Sequence, residues 1–132
     1  MPMAVPKKVL VVDDEPNFLK LLSTRLRVKG YQVITTPDGE AALEKIRKDK
    51  PDAVLLDILM PKLDGLKTLR EIRKTHKQLP VYVLTAFSNE RRFGAAKKLG
   101  ASGFIVKNDD LGQAIRNITS SLRLASKYRP VR

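Results

Sequence analysis

Five side chains that can take part in chemistry follow short apolar runs of the sequence. The runs end at Val12, Leu56, Leu84 and Val106, and the residues that come after them are Asp13, Asp14, Asp57, Thr85 and Lys107. A cluster of carboxylates raises its own pKa values unless a cation lies among them, and Mg²⁺ takes carboxylate and phosphate oxygens as ligands. A hydroxyl and an ammonium hold and neutralise the oxygens of a transferred phosphoryl group. These residue types therefore point to phosphoryl transfer.

Asp57 lies in an unusually apolar stretch, PDAVLLDILMPKLDG, which runs from Pro51 to Gly65. A buried charge is costly unless it is paired, hydrogen-bonded or bound to a metal. Carboxylates can act as nucleophiles in phosphoryl transfer and form an aspartyl-phosphate. We therefore interpret Asp57 as a phosphoryl acceptor that a bound metal and Lys107 keep ionised.

Each of these residues also has an ordinary explanation when it is taken alone. Acidic residues such as Asp13 and Asp14 are favoured at helix N-termini by the helix dipole. Thr85 would then be a helix-entry residue and Lys107 a solvated loop residue. The functional interpretation depends on their joint placement at one edge of a predicted sheet, because single motif matches are weak hypotheses.

The hydrophobic pattern predicts strands that alternate with helices. Strands are predicted over residues 8–12, 31–35, 53–56, 80–84 and 103–106, which are short apolar runs. Apolar residues at helical spacing predict four of the helices. In chain order, these residues are Phe18, Leu21, Leu22 and Leu26; Ala41, Ala42, Leu43 and Ile46; Leu63, Leu66, Leu69 and Ile72; and Leu111, Ala114, Ile115, Ile118 and Leu122. A fourth helix is predicted over 89–99. Pro16 suits a first turn, and Gly30 and Gly100 end two helices. Thr36 or Asp38 is expected to cap the second helix, and residues 108–110 the last.

This alternation predicts an α/β fold with a doubly wound parallel sheet that helices cover on both faces. In an open sheet of this kind, the carboxyl ends of the strands meet at one edge, and binding sites collect there. All five candidate residues are expected at that edge.

Composition limits the class of protein. The chain has 132 residues, no cysteine, and 26 Lys and Arg against 14 Asp and Glu, a formal net charge of +12. Its length fits one domain, and no apolar run approaches the roughly 18 residues that a membrane span needs. We expect one cytoplasmic domain over 8–126, a flexible N-terminus over 1–7, and a flexible tail or the start of a linker over 127–132. The positive charge would attract anionic partners, although solvated helix faces are the ordinary explanation.

The sequence resembles the receiver domain of two-component response regulators. The matching stretches are VLVVDDEP, AVLLDILMPKLDG, VYVLTA and GFIVK, in that order. The resemblance covers nearly the whole chain, and its motifs are specific in combination. It implies a flavodoxin-like (βα)5 sandwich with a five-stranded parallel sheet in the order 2-1-3-4-5.

The resemblance also implies roles in binding metal and phosphoryl groups. Asp57 would receive the phosphoryl group from a phosphohistidine on a histidine kinase or a histidine phosphotransfer protein. Asp14 and Asp57 would ligate Mg²⁺ directly, with the backbone carbonyl of Leu59 as a third protein ligand. Asp13 would act largely through metal-bound water.

The remaining implied roles concern the phosphoryl oxygens and the switch. Lys107 would contact one oxygen, Thr85 would hydrogen-bond another, and Phe104 would follow Thr85 inward. Pro61 and Gly65 would shape the loop beyond the acceptor. The fourth helix, fifth strand and fifth helix would form the output surface. Such a domain catalyses only its own phosphorylation and dephosphorylation, so we do not expect an enzyme acting on other substrates.

Several positions depart from the pattern or carry an open alternative. Asn108 follows Lys107 where many receivers have a cis proline, and a non-proline cis bond costs about 3–4 kcal/mol, so the loop is either rebuilt or strained. Leu59 and Phe87 are bulky and apolar, and we hypothesise that they shield the phosphoryl group from water; ordinary packing or exposure is the alternative. His76, the only histidine, is expected to be an ordinary exposed loop residue, so the donating histidine comes from another chain.

Two other function classes compete with the phosphorylated switch. One is a binding module that keeps the fold and is never phosphorylated. The other is a phosphatase of the haloacid dehalogenase type, but such enzymes need a second acid where this chain has Leu59. The expected partners are a phosphodonor protein and an unknown downstream partner, for which an acidic surface would suit the basic helices. No DNA-binding module or membrane span is expected, and the protein would be a monomer or a phosphorylation-dependent dimer.

Overall fold

The computed structural model describes residues 8–58, 65–85, 90–107 and 111–125. Five strands alternate with five helices over these ranges. The strands are β1 (Lys8–Val12), β2 (Gln32–Thr36), β3 (Ala53–Asp57), β4 (Val81–Thr85) and β5 (Gly103–Val106). The helices are α1 (Pro16–Val28), α2 (Gly39–Asp49), α3 (Gly65–Thr75), α4 (Glu90–Lys98) and α5 (Leu111–Ala125). The expected termini at 1–7 and 127–132 lie outside the described residues.

The strands form one parallel sheet in the order β2-β1-β3-β4-β5. Val12 at the end of β1 pairs with Leu56 of β3, and Asp57 pairs with Leu84 of β4. The predicted fold and strand order are confirmed. β2 and β4 each begin and end one residue later than their patterns predict, and β3 extends by one residue to include Asp57.

Alternate residues along each strand build two separate cores. Leu10 and Val12 pack into a cluster with residues of α2, α3 and α4. Val9 and Val11 pack into a second cluster with residues of α1 and α5. Because neighbouring strand residues point to opposite faces, the helices cover both faces of the sheet. This doubly wound arrangement leaves the carboxyl edge of the strands for the polar residues.

The helix termini follow local sequence signals. Pro16 occupies the first turn of α1. Asp38, and not Thr36, caps α2, where its Oδ1 accepts a hydrogen bond from Ala41 N at 2.7 Å. Gly30 and Gly100 both have φ of +98°, a backbone conformation that glycine adopts without steric cost. The predicted cap at 108–110 lies outside the described residues.

One predicted core residue of α1 is in fact exposed. Leu21 has 49% of its surface accessible, whereas Leu22 and Leu26 are fully buried. Each residue of an α-helix is turned by about 100° from the previous one, so Leu21 lies well off the Leu22–Leu26 line. Leu19, about 60° from Leu22 on the other side, packs against the core in its place.

The edge strand β2 has a side-chain contact on its backbone. Arg27 of α1 donates from Nη2 to the carbonyl oxygen of Val33 at 3.1 Å. β2 pairs only with β1 in the sheet. One backbone acceptor of the sheet edge is therefore satisfied by the preceding helix.

Burial of a tyrosine in β4 makes stability sensitive to alkaline pH. Burial raises the pKa of the Tyr82 phenol above its ordinary value of 10.0. The folded state then holds this proton to a higher pH than the unfolded state, so stability present below about pH 10 is lost as the pH rises through the raised pKa. We expect Tyr82→Phe to lose less stability than wild type between about pH 8 and about pH 11. Urea unfolding at both pH values tests this, and equal losses in the two proteins would contradict it.

Candidate functional site

Three carboxylates meet at the carboxyl edge of the sheet. Asp13 and Asp14 follow β1, and Asp57 is the last residue of β3, the strand beside it. One carboxylate oxygen from each residue lies within 4.8 Å of the others. Asp13 and Asp57 are buried, and Asp14 is half-buried. The structure therefore brings together the acidic residues that were picked out from sequence.

Lys107 reaches into this cluster from the end of β5. Its Nζ donates a hydrogen bond to Asp57 Oδ2 at 2.8 Å and forms an ion pair with Asp13 Oδ2. The backbone N–H of Lys107 donates to the carbonyl oxygen of Thr85 at 2.6 Å, which ties the start of its side chain to the end of β4. The Lys107 side chain is only 14% exposed. The lysine thus bridges two acids whose strands lie two and three places away in the sheet.

Asp13 is held in place on several sides. Its backbone N–H donates to Thr36 O at 3.1 Å, and its Oδ1 accepts from Glu15 N at 2.9 Å. The second carboxylate oxygen, Oδ2, lies against the Lys107 side chain. Lys107 meets that oxygen as an ion pair, so the ammonium is its charge partner.

Burial and charge pairing oppose each other at this site. Burial raises the pKa of Asp13, and its contacts with Lys107 and Glu15 N lower the pKa by a smaller amount. Burial alone would lower the pKa of Lys107, but hydrogen bonds and charge attraction from Asp13 and Asp57 outweigh it and raise the pKa above 10.5. Lys107 is therefore a firmly charged ammonium, and it contacts two of the three carboxylates, those of Asp13 and Asp57.

The cluster fits a hard divalent cation. Such ions prefer carboxylate oxygens, and here three carboxylates place oxygens within 4.8 Å of one another. Asp13, Asp14 and Asp57 are the residues that would hold such an ion; Leu59, expected to add its carbonyl, lies outside the described residues.

A glycine packs directly against the backbone of the acceptor strand. A Cβ added to Gly65, the first residue of α3, would lie 2.5 Å from both Asp57 O and Ile58 Cα. Real Cβ atoms essentially never come so close to backbone atoms. The absence of a side chain at Gly65 thus allows the start of α3 to pack closely against the backbone of Asp57 and Ile58. Pro61 lies outside the described residues.

A comparison with known protein families identifies the domain. Residues 9–119 match the family model of the response regulator receiver domain. The chain belongs to the receiver domain family of response regulators. This receiver is 41% identical over 121 residues to the probable transcriptional regulator ycf27 of Guillardia theta, covering 92% of this chain and 47% of that protein. The chain therefore spans about half the length of that curated relative.

Solved structures of receivers have the same fold. The chemotaxis response regulator CheY4 of Vibrio cholerae is similar with a TM-score of 0.80 and 29% identity, covering 88% of this chain and 98% of that one. The response regulator TrrA of Thermotoga maritima, solved in complex with Mg²⁺ and BeF, is similar with a TM-score of 0.75 and 36% identity, covering 87% and 98%. These matches identify a signalling domain of two-component systems with the flavodoxin-like fold.

The two predicted switch residues of the receiver lie on adjacent strands. Thr85 is the last residue of β4 and is 1% exposed. Phe104 is on β5 opposite Val83, is half-buried, and packs against the core on the α2–α4 side. Their role as a switch stays a prediction.

The other predicted positions either lie elsewhere or are not described. His76 is at the end of α3, half-buried, with its Nδ1 2.8 Å from Thr75 Oγ1; it precedes β4 and so is at the opposite edge of the sheet from Asp57. Phe87 and Asn108 lie outside the described residues. Of the helices that the structure describes, none is both long and apolar enough to cross a bilayer.

Sequence reasoning assigned Phe18 only to the core stripe of α1. The centre of its ring lies 4.4 Å from Lys107 Nζ. An aromatic residue five positions after the first acid was the available signal, but helical spacing alone gave no reason to place it beside the lysine.

Proposed function

We propose that this receiver accepts a phosphoryl group on Asp57 from a phosphohistidine of a partner histidine kinase or histidine phosphotransfer protein. The observation that carries this proposal is the position of the Asp57 carboxylate, which is at the end of a buried strand, hydrogen-bonded to Lys107, and grouped with Asp13 and Asp14. A nucleophilic acceptor needs to be ionised and accessible to its donor. The ion pair with Lys107 supports the first need. The place of Asp57 at the carboxyl edge of an open parallel sheet, where ligands bind in such folds, supports the second.

The proposed step is a substitution at phosphorus. An Asp57 carboxylate oxygen attacks the phosphorus atom, and a new O–P bond forms as the P–N bond to the donor imidazole breaks. The electron pair of that bond stays on the imidazole nitrogen. Lys107 and the hydroxyl of Thr85 would hold the phosphoryl oxygens, as positioning and charge stabilisation dominate phosphoryl transfer.

A bound Mg²⁺ would supply charge neutralisation for the phosphoryl oxygens when it is present. Asp13, Asp14 and Asp57 have the oxygen donors that this ion prefers. The similar regulator TrrA, solved in complex with Mg²⁺ and BeF, supports the assignment of magnesium. Within this proposal Asp14 and Asp57 contact the ion directly and Asp13 acts through its water shell.

The output of the proposed switch is the surface formed by α4, β5 and α5. Phosphorylation would draw Thr85 towards Asp57, with Phe104 following it, and so change this surface. The similar ycf27 protein is a probable transcriptional regulator, which supports control of gene expression as one class of output. The last turn of α4 carries Lys97 and Lys98, so an acidic surface on the downstream partner would be complementary in charge.

The experiment is intact-mass spectrometry after incubation with Mg²⁺ and acetyl phosphate. Wild type is expected to gain the mass of one phosphoryl group, because acetyl phosphate can donate it with acetate as the leaving group. Asp57→Asn is expected to gain none, since its amide is no nucleophile. A metal-free sample is the second control. An adduct that persists in Asp57→Asn, or no adduct on wild type, would contradict the proposal, and the latter would favour an unphosphorylated binding module.

A further inference from the structure

Phe18 lies against the lysine of the site while belonging to a different layer of the fold. It is in the first turn of α1, and its ring centroid is 4.4 Å from Lys107 Nζ. Phe18 packs against the α1–α5 core, and Leu22 and Leu26 of the same helix are fully buried. The ring therefore belongs to a well-packed helix, whereas the Lys107 ammonium is at the tip of a long, flexible side chain that follows β5.

Among the residues that the structure describes, three groups contact the Lys107 ammonium. Two are carboxylates, those of Asp13 and Asp57, and the third is the face of the Phe18 ring. An aromatic face carries negative charge density, and it attracts a cation within about 6 Å of the ring centroid. The attraction is stronger where water is excluded, and the Lys107 side chain is only 14% exposed. The ring thus adds a third attractive contact to the two carboxylates.

The position of this charge matters for phosphoryl transfer. A lysine side chain has several rotatable bonds and a single compact charge, so its place must be set by its contacts. Charges that are already in position when a reacting group arrives need no reorganisation during the step. A leucine at position 18 would fill similar space on α1 but would offer no charge density to the ammonium.

We propose that Phe18 is a positioning residue for Lys107, and that its ring face fixes the ammonium at the place where it meets the phosphoryl group on Asp57. This inference rests on the proposed function, because the reaction it serves is phosphoryl uptake by Asp57. It goes further, because it assigns to Phe18, in the first turn of α1, a role in positioning Lys107 as well as a place in the core.

The contact itself is tested by NMR without any reaction. Protons over an aromatic face move upfield, so the Hε resonances of Lys107 are expected upfield of those of other lysines in wild type. Phe18→Leu is expected to abolish the displacement, and Phe18→Tyr to retain it because the ring face is preserved. Normal Lys107 shifts in wild type, or shifts that are unchanged in Phe18→Leu, would overturn the proposal.

The functional part is tested by the rate of phosphoryl uptake from acetyl phosphate. Phe18→Leu is expected to be slower than wild type by about threefold to tenfold, the range that one desolvated cation–π contact can supply. Phe18→Tyr is expected to stay within about twofold of wild type. Leu26→Val is the matched control, since it weakens packing of the same helix about 12 Å along its axis from Phe18 and is expected to keep the wild-type rate.

The outcomes separate this inference from the proposed function. Equal rates for Phe18→Leu and wild type would overturn the positioning role, as would an equal slowing in Leu26→Val. If wild type itself takes up no phosphoryl group, the proposed function fails and the kinetic role of Phe18 fails with it. The NMR comparison then still decides whether Phe18 holds Lys107.

Discussion

Gly65→Ala is expected to lower the free energy of unfolding by about 2–4 kcal/mol. The added Cβ would lie 2.5 Å from Asp57 O and from Ile58 Cα. Both are backbone atoms, so no side chain can rotate away to make room. Either the start of α3 or the end of β3 has to shift, and the second would move Asp57 away from Lys107. We therefore expect slower phosphoryl uptake as well as lower stability.

Gly94→Ala is the matched control for this prediction. Gly94 is an exposed residue within α4, it has no positive φ, and an added Cβ would have nothing within 4 Å. Alanine is favoured over glycine inside a helix by about 1 kcal/mol, so this variant is expected to be more stable than wild type. Urea unfolding of the three proteins measures both effects. A Gly65→Ala protein as stable as wild type would show that the helix–strand contact is loose.

Asp13→Asn is expected to stabilise the metal-free protein by about 1–3 kcal/mol. Three carboxylates are grouped here, one ammonium pairs with two of them, and burial raises the pKa of Asp13. A carboxyl group whose pKa is raised by folding makes the protein less stable once it ionises, because the folded state binds its proton more tightly than the unfolded state. The neutral amide removes that penalty, and Asp57 still pairs with Lys107.

The same variant should respond weakly to magnesium. A ligand that binds only the folded state raises stability in proportion to the logarithm of its concentration, so Mg²⁺ should stabilise wild type more than Asp13→Asn. Asp38→Asn is the matched control, since asparagine and aspartate both cap helices well, and it should keep the wild-type magnesium response. Urea unfolding with Mg²⁺ and with chelator measures these differences. The advantage of Asp13→Asn should shrink as the pH falls into the range where wild-type Asp13 takes up its proton.

The fold could be predicted almost completely from the sequence because each strand is a short apolar run between clear breaks. Gly30 and Gly100 end helices at positive φ, as their positions predicted. The errors are local. β2 and β4 are each displaced by one residue. Leu21 is exposed because it lies about 100° around the helix from the buried Leu22. Such details depend on which side of a helix packs against the sheet, and that is set by tertiary packing.

The candidate site could be predicted as a set of residues but not as a set of contacts. Parallel strands bring Asp13, Asp57 and Lys107 to one edge whatever their separation in the chain. The ion pair between Asp13 and Lys107 depends on how far a flexible side chain reaches across two intervening strands. The contacts of Phe18 and Gly65 depend on how two helices pack on the sheet. Hydrophobic periodicity predicts that a residue is buried, but it does not predict which residues it contacts.

The hydrogen bond from Arg27 to the Val33 carbonyl has a consequence for how the protein behaves in crowded solution. An edge strand with free backbone groups is a template for the strand of another molecule, and the QVITT sequence of β2 carries no charge to discourage this. The Arg27 guanidinium donates to the outer edge of that strand, so a charged side chain lies where the strand of a second molecule would pair, and such charges hinder edge pairing. We therefore expect α1 to disfavour strand-to-strand aggregation through Arg27, in addition to its place in the core.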